Sequence, residues 1–256
     1  MESTGMPRQS CSYCNGAGKI GWILKEFCYA CDGTGYMEDQ RSFSTTLTKG
    51  SNFDEPDVID VHRLVESLPP TKICTIKLQD PGTIFCRELS LDGRLLAISK
   101  KRQPYLTLWD ISTGRMYMDL QAKQFSLSLV FSPDNRLLAG GSDSYDPEPF
   151  VAKIWNVANG AAIRSFPDST GHTIGSMAFS PDGQLLATGN FLQPRIWRIQ
   201  DGKLIQTLEE PGRSNSGPKE LLQFSSDGKF LKARAYNSQI IWRVQDGKII
   251  KRYYRN

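Results

Sequence analysis

From residue 72 onward, apolar and polar positions alternate in short stretches broken by turn residues. That is the period-two pattern of half-buried β-strands rather than the period of a helix. The stretches also repeat. Phe131-Ser-Pro-Asp134, Phe179-Ser-Pro-Asp182 and Phe224-Ser-Ser-Asp227 are copies of one turn, and Leu89-Ser-Leu-Asp92 is a fourth. Each is followed by an apolar triplet or its relative: Leu95 to Ala97, Leu137 to Ala139, Leu185 to Ala187 and Phe230 to Lys232. One tryptophan per unit comes next (Trp109, Trp155, Trp197, Trp242), at steps of 46, 42 and 45 residues. Five positions after each stands a glycine (Gly114, Gly160, Gly202, Gly247), the mark of a hairpin turn between two strands. Self-similarity at this period outranks any local reading. It predicts four-stranded blades of a β-propeller, a mostly β fold over residues 72–256.

The Phe-Ser-Pro-Asp-Gly, Leu-Leu-Ala and Ile-Trp wording is similar to the WD-repeat family over nearly three quarters of the chain. Trp109-Asp110 keeps the pair that names the family, and Gly171-His172 resembles the Gly-His that opens a repeat. Trp155, Trp197 and Trp242 are followed instead by Asn156, Arg198 and Arg243. The aspartate that the resemblance implies between the second and third strands is missing from most units. The buried network that often staples such blades is therefore not implied in full, even where His172 is present. Rings of this family usually have seven blades, and four are recognisable here. An extra outer strand, Ile73 to Leu78, precedes them and parallels Leu204 to Leu208. Three outcomes are open: closure at four, completion by a second copy as a homo-oligomer, or a truncated relative of a longer ring. Repeat wording typical of wider rings favours the latter two over tight closure.

A second pattern opens the chain. Cys11-Ser-Tyr-Cys14-Asn-Gly-Ala-Gly18 and Cys28-Tyr-Ala-Cys31-Asp-Gly-Thr-Gly35 both read C-x-x-C-x-G-x-G, thirteen residues apart. Two residues between cysteines let both sulfurs of a tight turn reach one ion, and two such turns complete a tetrahedral thiolate shell. Cys11, Cys14, Cys28 and Cys31 are thus candidate zinc ligands. Residues 1–40 bury little else, so the metal would largely hold them together. Iron would also accept four cysteines, but the glycine pattern fits zinc better. A thiol–disulfide role is disfavoured because four thiolates on one ion are closed and unreactive. The doubled motif resembles the cysteine-rich domain of DnaJ-type co-chaperones, where it binds zinc and helps hold clients. Only two copies are present and no His-Pro-Asp occurs. Stimulation of a chaperone ATPase is therefore not implied.

Residues 41–71 read as a linker. Its polar Ser/Thr-rich start suggests a tether, and Asp54-Glu-Pro56 suggests a helix start. Val58, Val61, Val65 and Leu68 then share one helical face before Pro69-Pro70. In this reading His62 lies on the solvated side. Propeller function usually resides in loops on one face. The longest insertion, Asp143-Ser-Tyr-Asp-Pro-Glu-Pro-Phe150, shares that face with Lys101, Arg102, Phe191 and Arg213. Asp143, Tyr145, Asp146 and Phe150 join them as candidate partner-binding residues, mixing charge and aromatics as protein interfaces do.

The remaining composition narrows function by exclusion. Two histidines in 256 residues leave little room for His-based catalysis, and no phosphate-binding glycine loop or convergent acid, base and nucleophile appears. A net charge of +4 is too mild to imply nucleic acid. No apolar run reaches the roughly 20 residues of a membrane span. Met1 to Ser10 has no export-signal core, which points to the cytoplasm and to cysteines used for metal. Cys74 and Cys86 read as small apolar strand residues. The expectation is a non-catalytic scaffold binding other proteins, comprising a zinc module (1–40), a linker (41–71) and a WD-repeat-like propeller (72–256). The alternative is a chaperone-like binder of unfolded clients through the zinc module.

Overall fold

The computed structural model describes residues 43–48, 57–63, 71–78, 84–101, 105–122, 126–142, 151–167, 173–190, 193–209, 221–235 and 238–254. All lie in one compact unit, Phe43–Asn256. Among the described residues every regular element is a strand. Blade 1 consists of β4 (Ile84–Leu89), β5 (Leu95–Lys100), β6 (Leu106–Asp110) and β7 (Arg115–Asp119). Blade 2 holds β8 (Ser126–Phe131), β9 (Leu137–Ser142), β10 (Val151–Asn156) and β11 (Ala162–Pro167). Blade 3 holds β12 (Ser176–Phe179), β13 (Leu185–Gly189), β14 (Arg195–Arg198) and β15 (Leu204–Thr207). Blade 4 holds β16 (Leu221–Phe224), β17 (Phe230–Ala235), β18 (Ser238–Arg243) and β19 (Ile249–Tyr254). Each blade is an antiparallel meander in chain order. This is the propeller-like, mostly β architecture that the repeats predict.

The first strands of successive blades adjoin: β4 lies by β8, β8 by β12 and β12 by β16. Among the described residues no comparable contact joins β16 to β4. Between blades lies one apolar layer. Ala97, Leu106, Leu108 and Leu120 of blade 1 meet Leu129, Phe131, Leu138 and Trp155 of blade 2. The same positions recur as Ala139, Ala152, Ile154 and Phe166 against Met177, Phe179, Leu186 and Trp197. They recur again as Ala187, Ile196 and Leu208 against Leu222, Phe224, Leu231 and Trp242. A small residue on the second strand lets the next blade approach, and its tryptophan fills the space. Stability is therefore shared pairwise between neighbours, as in other repeat proteins.

The segment read as tether and helix is instead a three-stranded antiparallel sheet. It comprises β1 (Phe43–Thr48), β2 (Asp57–Arg63) and β3 (Thr71–Leu78). Val58, Val61, Val65 and Leu68 do have helical spacing. However, Val58, Ile59 and Val61 are β-branched, which favours a strand once neighbours pair with it. The extra outer strand read from sequence is thus the last strand of a sheet. In that sheet the pairing shifts register between Val61 and His62. In every blade it shifts just before the tryptophan: at Leu108/Trp109, Ile154/Trp155, Ile196/Trp197 and Ile241/Trp242. The bulge places His62 at the tryptophan's register position, on a strand rather than on a helix. It also makes Ile76, opposite Ile59, the counterpart of Leu120, Phe166 and Leu208. The parallel read from sequence, which matched Leu78 to Leu208, is two residues out of step. Ile76, Phe166 and Leu208 are each 0% exposed and Leu120 is 2%. Ile76 packs with Leu96, Ile98 and Ile111 of blade 1. The sheet therefore holds the second, third and fourth strands of a blade.

Candidate interaction surface

Turns build the surfaces that loops would use, and each turn is fixed by its own side chains. In the Ser-x-Asp turns, the hydroxyls of Ser90, Ser132, Ser180 and Ser225 donate to Asp92, Asp134, Asp182 and Asp227 at 2.5–2.7 Å. The same hydroxyls accept the backbone N–H five residues on, at 2.9–3.0 Å. The serine hydroxyl holds the carboxyls of Asp134 and Asp182 below the ordinary carboxylate range. Three of these turns place glycine at positive φ, and the fourth places Asn135 there at 58°. Asparagine tolerates that conformation. Its Oδ1 accepts the N–H of Leu91 at 2.8 Å and so ties the turn of blade 2 to that of blade 1.

The hairpins after the tryptophans explain the departures from Trp-Asp. Asp110 accepts the Ser112 hydroxyl at 2.5 Å and the Thr113 N–H at 2.9 Å, and both bonds depress its carboxyl pKa. Asn156 accepts the Ala158 N–H at 2.8 Å in the same role. Where arginine stands in that place, an aspartate stands three residues later. Arg198 meets Asp201 at 2.6 Å and Arg243 meets Asp246 at 3.0 Å. Asp201 is held down to about 2 by that guanidinium. The turn carbonyls also link blades, since the Ala158 oxygen accepts Tyr117 Oη at 3.3 Å and that of Gln200 accepts Arg164 Nη2 at 2.8 Å.

The tryptophan indoles find several different partners. Trp197 donates to Thr188 Oγ1 at 2.9 Å in a buried bond, and Trp109 donates to Thr107 Oγ1 at 2.9 Å. Trp242 donates to the Glu209 carbonyl of blade 3 at 3.2 Å. Phe166 of blade 2 stacks obliquely on Trp197, with centroids 5.7 Å apart. Part of the stapling network therefore exists in blade 3; His172 lies outside the described residues.

Of the candidate partner-binding residues, Lys101 is described and exposed, just past β5. Arg102, Asp143, Tyr145, Asp146, Phe150, Phe191 and Arg213 lie outside the described residues. So do the metal candidates Cys11, Cys14, Cys28 and Cys31. Among the described residues no group of three His, Cys, Asp or Glu is placed to hold a metal ion. Cys86 is a free thiol in β4, and burial pushes its pKa up to about 11. That suits the apolar role read for it. Among the described residues no helix is long and apolar enough to cross a membrane. Sequence reasoning missed the Arg–Asp exchange in the hairpins. The signal was available as an aspartate three positions after each arginine that replaces the usual acid.

Residues 161–191 match the family WD domain, G-beta repeat (WD40), and span the last strand of blade 2 and the first two strands of blade 3. The chain is 27% identical over 164 residues to periodic tryptophan protein 2 of Arabidopsis thaliana, covering 62% of this chain and 16% of that protein. It is 30% identical over 116 residues to telomerase protein component 1 of Mus musculus, covering 43% of this chain and 4% of that protein. The Rattus norvegicus protein of the same name is 30% identical over 115 residues, covering 43% and 4%. The chain thus spans less than a fifth of the length of each of these relatives. These similarities and the strand order support the WD-repeat reading of the blades.

Proposed function

We propose that this protein is a non-catalytic scaffold that holds other proteins on a WD-repeat platform. The observation that carries the reading is the identity of register across four blades, down to the bulge before each tryptophan. Self-stapled hairpins give the blades a regular frame, and a frame of that kind suits binding through variable loops. In this reading Tyr145, Phe150 and Phe191 are the aromatic anchors, and Lys101, Arg102, Asp143, Asp146 and Arg213 are the charged contacts. In the N-terminal module, Cys11, Cys14, Cys28 and Cys31 hold one zinc ion as a structural centre, because four thiolates suit that ion and leave no open position for chemistry. We place the protein in the cytoplasm.

Two experiments test this. Proteins captured from the native host by the full chain should be lost in a Tyr145→Ala/Phe150→Ala/Phe191→Ala variant that melts like the parent. Capture unchanged by that variant would remove the loop surface from the account. Zinc measured on the purified full chain should be about one ion per chain. It should fall away in Cys28→Ser, and retention there would refute the ligand set.

A further inference from the structure

The outer strand of every blade carries the same exception to the burial of apolar side chains. The register shift before each tryptophan leaves one extra residue on the partner strand, three positions after the turn glycine. That residue is Tyr117 in β7, Ile163 in β11, Ile205 in β15 and Ile250 in β19. In the sheet β1–β3 the corresponding shift leaves Ile73 in the same place. The four blade residues are 48%, 42%, 41% and 43% exposed, nearly the same value on four separate strands.

Strand pairing does not require this. A bulged residue stands outside the regular ladder, so a polar side chain would serve there as well. Yet six of the eight large apolar side chains exposed among the described residues lie in outer strands, at the bulge or one residue before it. Met116 and Leu204 are the two that precede it. Single scattered apolar residues on a surface are ordinary, whereas a row on equivalent positions marks a site of contact. The Tyr117 hydroxyl is satisfied by the Ala158 carbonyl, which leaves its ring as apolar surface.

The row has charged companions. Two residues before the bulge stand Arg115, Lys203 and Lys248, all exposed. No carboxylate among the described residues pairs with their side chains. The hairpin acids Asp201 and Asp246 are taken up by Arg198 and Arg243.

We propose that this outer rim is a docking surface for an extended acidic segment of a partner protein that carries large apolar residues. The segment's apolar side chains would lie on Ile163, Ile205 and Ile250, and its carboxylates would pair with Lys203 and Lys248. Charge selects an acidic partner, because these cations have no carboxylate of their own in the blades. Shape selects an extended one. Among the described residues the first strands of successive blades adjoin and no comparable contact joins the outer strands, so the blades fan apart toward the rim. A flexible chain follows a fanned row, whereas a straight helix touches little of it. Blades about 10 Å apart or more at the rim correspond to three or more residues of extended chain per step. Addition of a strand along one blade is disfavoured by the bulge, which interrupts the edge N–H and C=O groups. A flat lipid surface would meet the row at one blade. The proposal goes beyond the scaffold reading by adding a second surface, on outer strands instead of loops.

The test uses the full chain and a fluorescein-labelled peptide of about sixteen residues in which Leu-Glu pairs alternate with Gly-Ser pairs, with anisotropy read at about 50 mM salt. Saturable binding is expected. Ile163→Thr/Ile205→Thr/Ile250→Thr keeps β-branched residues in the strands and removes apolar surface. It should weaken binding about tenfold or more, roughly 1.4 kcal/mol. Lys203→Ala/Lys248→Ala should weaken it severalfold and covers the case in which the triple variant fails to fold. A peptide with lysine in place of each glutamate should not bind, and one with serine in place of each leucine should bind as weakly as the triple variant does. Arg136→Ala, in a turn of blade 2, should bind like the parent. Absence of saturable binding, or equal binding by the folded variants, overturns the proposal. So does capture of the chain by vesicles of phosphatidylcholine and phosphatidylserine that the same variants lose, which would assign the rim to a lipid surface. The loop variant Tyr145→Ala/Phe150→Ala/Phe191→Ala should bind the peptide like the parent, so failure of the rim and failure of the loop surface are read separately.

Discussion

Blades 3 and 4 carry the same turns, the same bulge and nearly the same near face, yet their far faces (the sides that in blades 1 to 3 meet the next blade) have opposite character. Leu208 is sealed against Leu222 and Trp242, whereas its counterpart Tyr253 is half-buried beside Lys251. The near face and the turns suffice to form a blade, and the far face is free to differ. A substitution should therefore have an effect set by its face and its neighbour, not by its place in the repeat.

The largest contrast is expected at the tryptophan. Trp197 is buried, bonded to Thr188 and stacked on Phe166, so Trp197→Ala should cost about 3–5 kcal/mol by chemical denaturation. A loss under about 1 kcal/mol would mean that the layer between blades 2 and 3 does not hold them. The outer-strand pair sharpens the comparison. Leu208→Ala should cost about 2–5 kcal/mol, and Tyr253→Ala clearly less, because only the first opens a cavity between blades. Equal costs would mean that the far face of blade 4 is as covered as that of blade 3.

Hairpin glycines come next. Gly160 lies at φ +71°, and a Cβ there would sit 2.6 Å from Met118 Sδ. Gly160→Ala should destabilise by about 1–3 kcal/mol through both strain and contact. Smaller still is the serine staple. The native carboxyls of Asp134 and Asp182 titrate below their ordinary value, so this stability is complete above that value. It is lost as pH falls through the native pKa, below about 4. Ser180→Ala should cost about 1 kcal/mol at neutral pH and flatten the acid limb of the stability curve. An unchanged acid limb would show that the hydroxyl does not hold the charge. The smallest effect is on Cys86, whose raised pKa should leave it unlabelled by alkylating reagents at neutral pH until the protein unfolds. Prompt labelling of the native thiol would place it at the surface.

Much of the fold was legible because its signals are local. The Ser-x-Asp turn, the glycine five residues after tryptophan and the period-two strands each depend on a few adjacent residues. The sheet β1–β3 was hidden for the opposite reason. It lacks the Phe-Ser-x-Asp turn and has histidine where each blade has tryptophan, and its valines also satisfy a helical spacing. Only pairing with β3 decides between the two periods. The apolar rim was half legible. Reading Tyr117, Ile163, Ile205 and Ile250 in one column after the turn glycines reveals the recurrence, but not that each is the extra residue of a bulge and exposed. The four-cysteine motif and most of the proposed loop surface remain statements of sequence, outside the described residues.

By itself, then, the sequence determined the repeat and its turns, because each is written in residues close together along the chain. The tertiary structure decided that an added sheet precedes blade 1 and that one apolar layer lies between each pair of successive blades. Those outcomes depend on which surfaces meet across strands and blades, and burial is a property of the neighbour as much as of the residue buried.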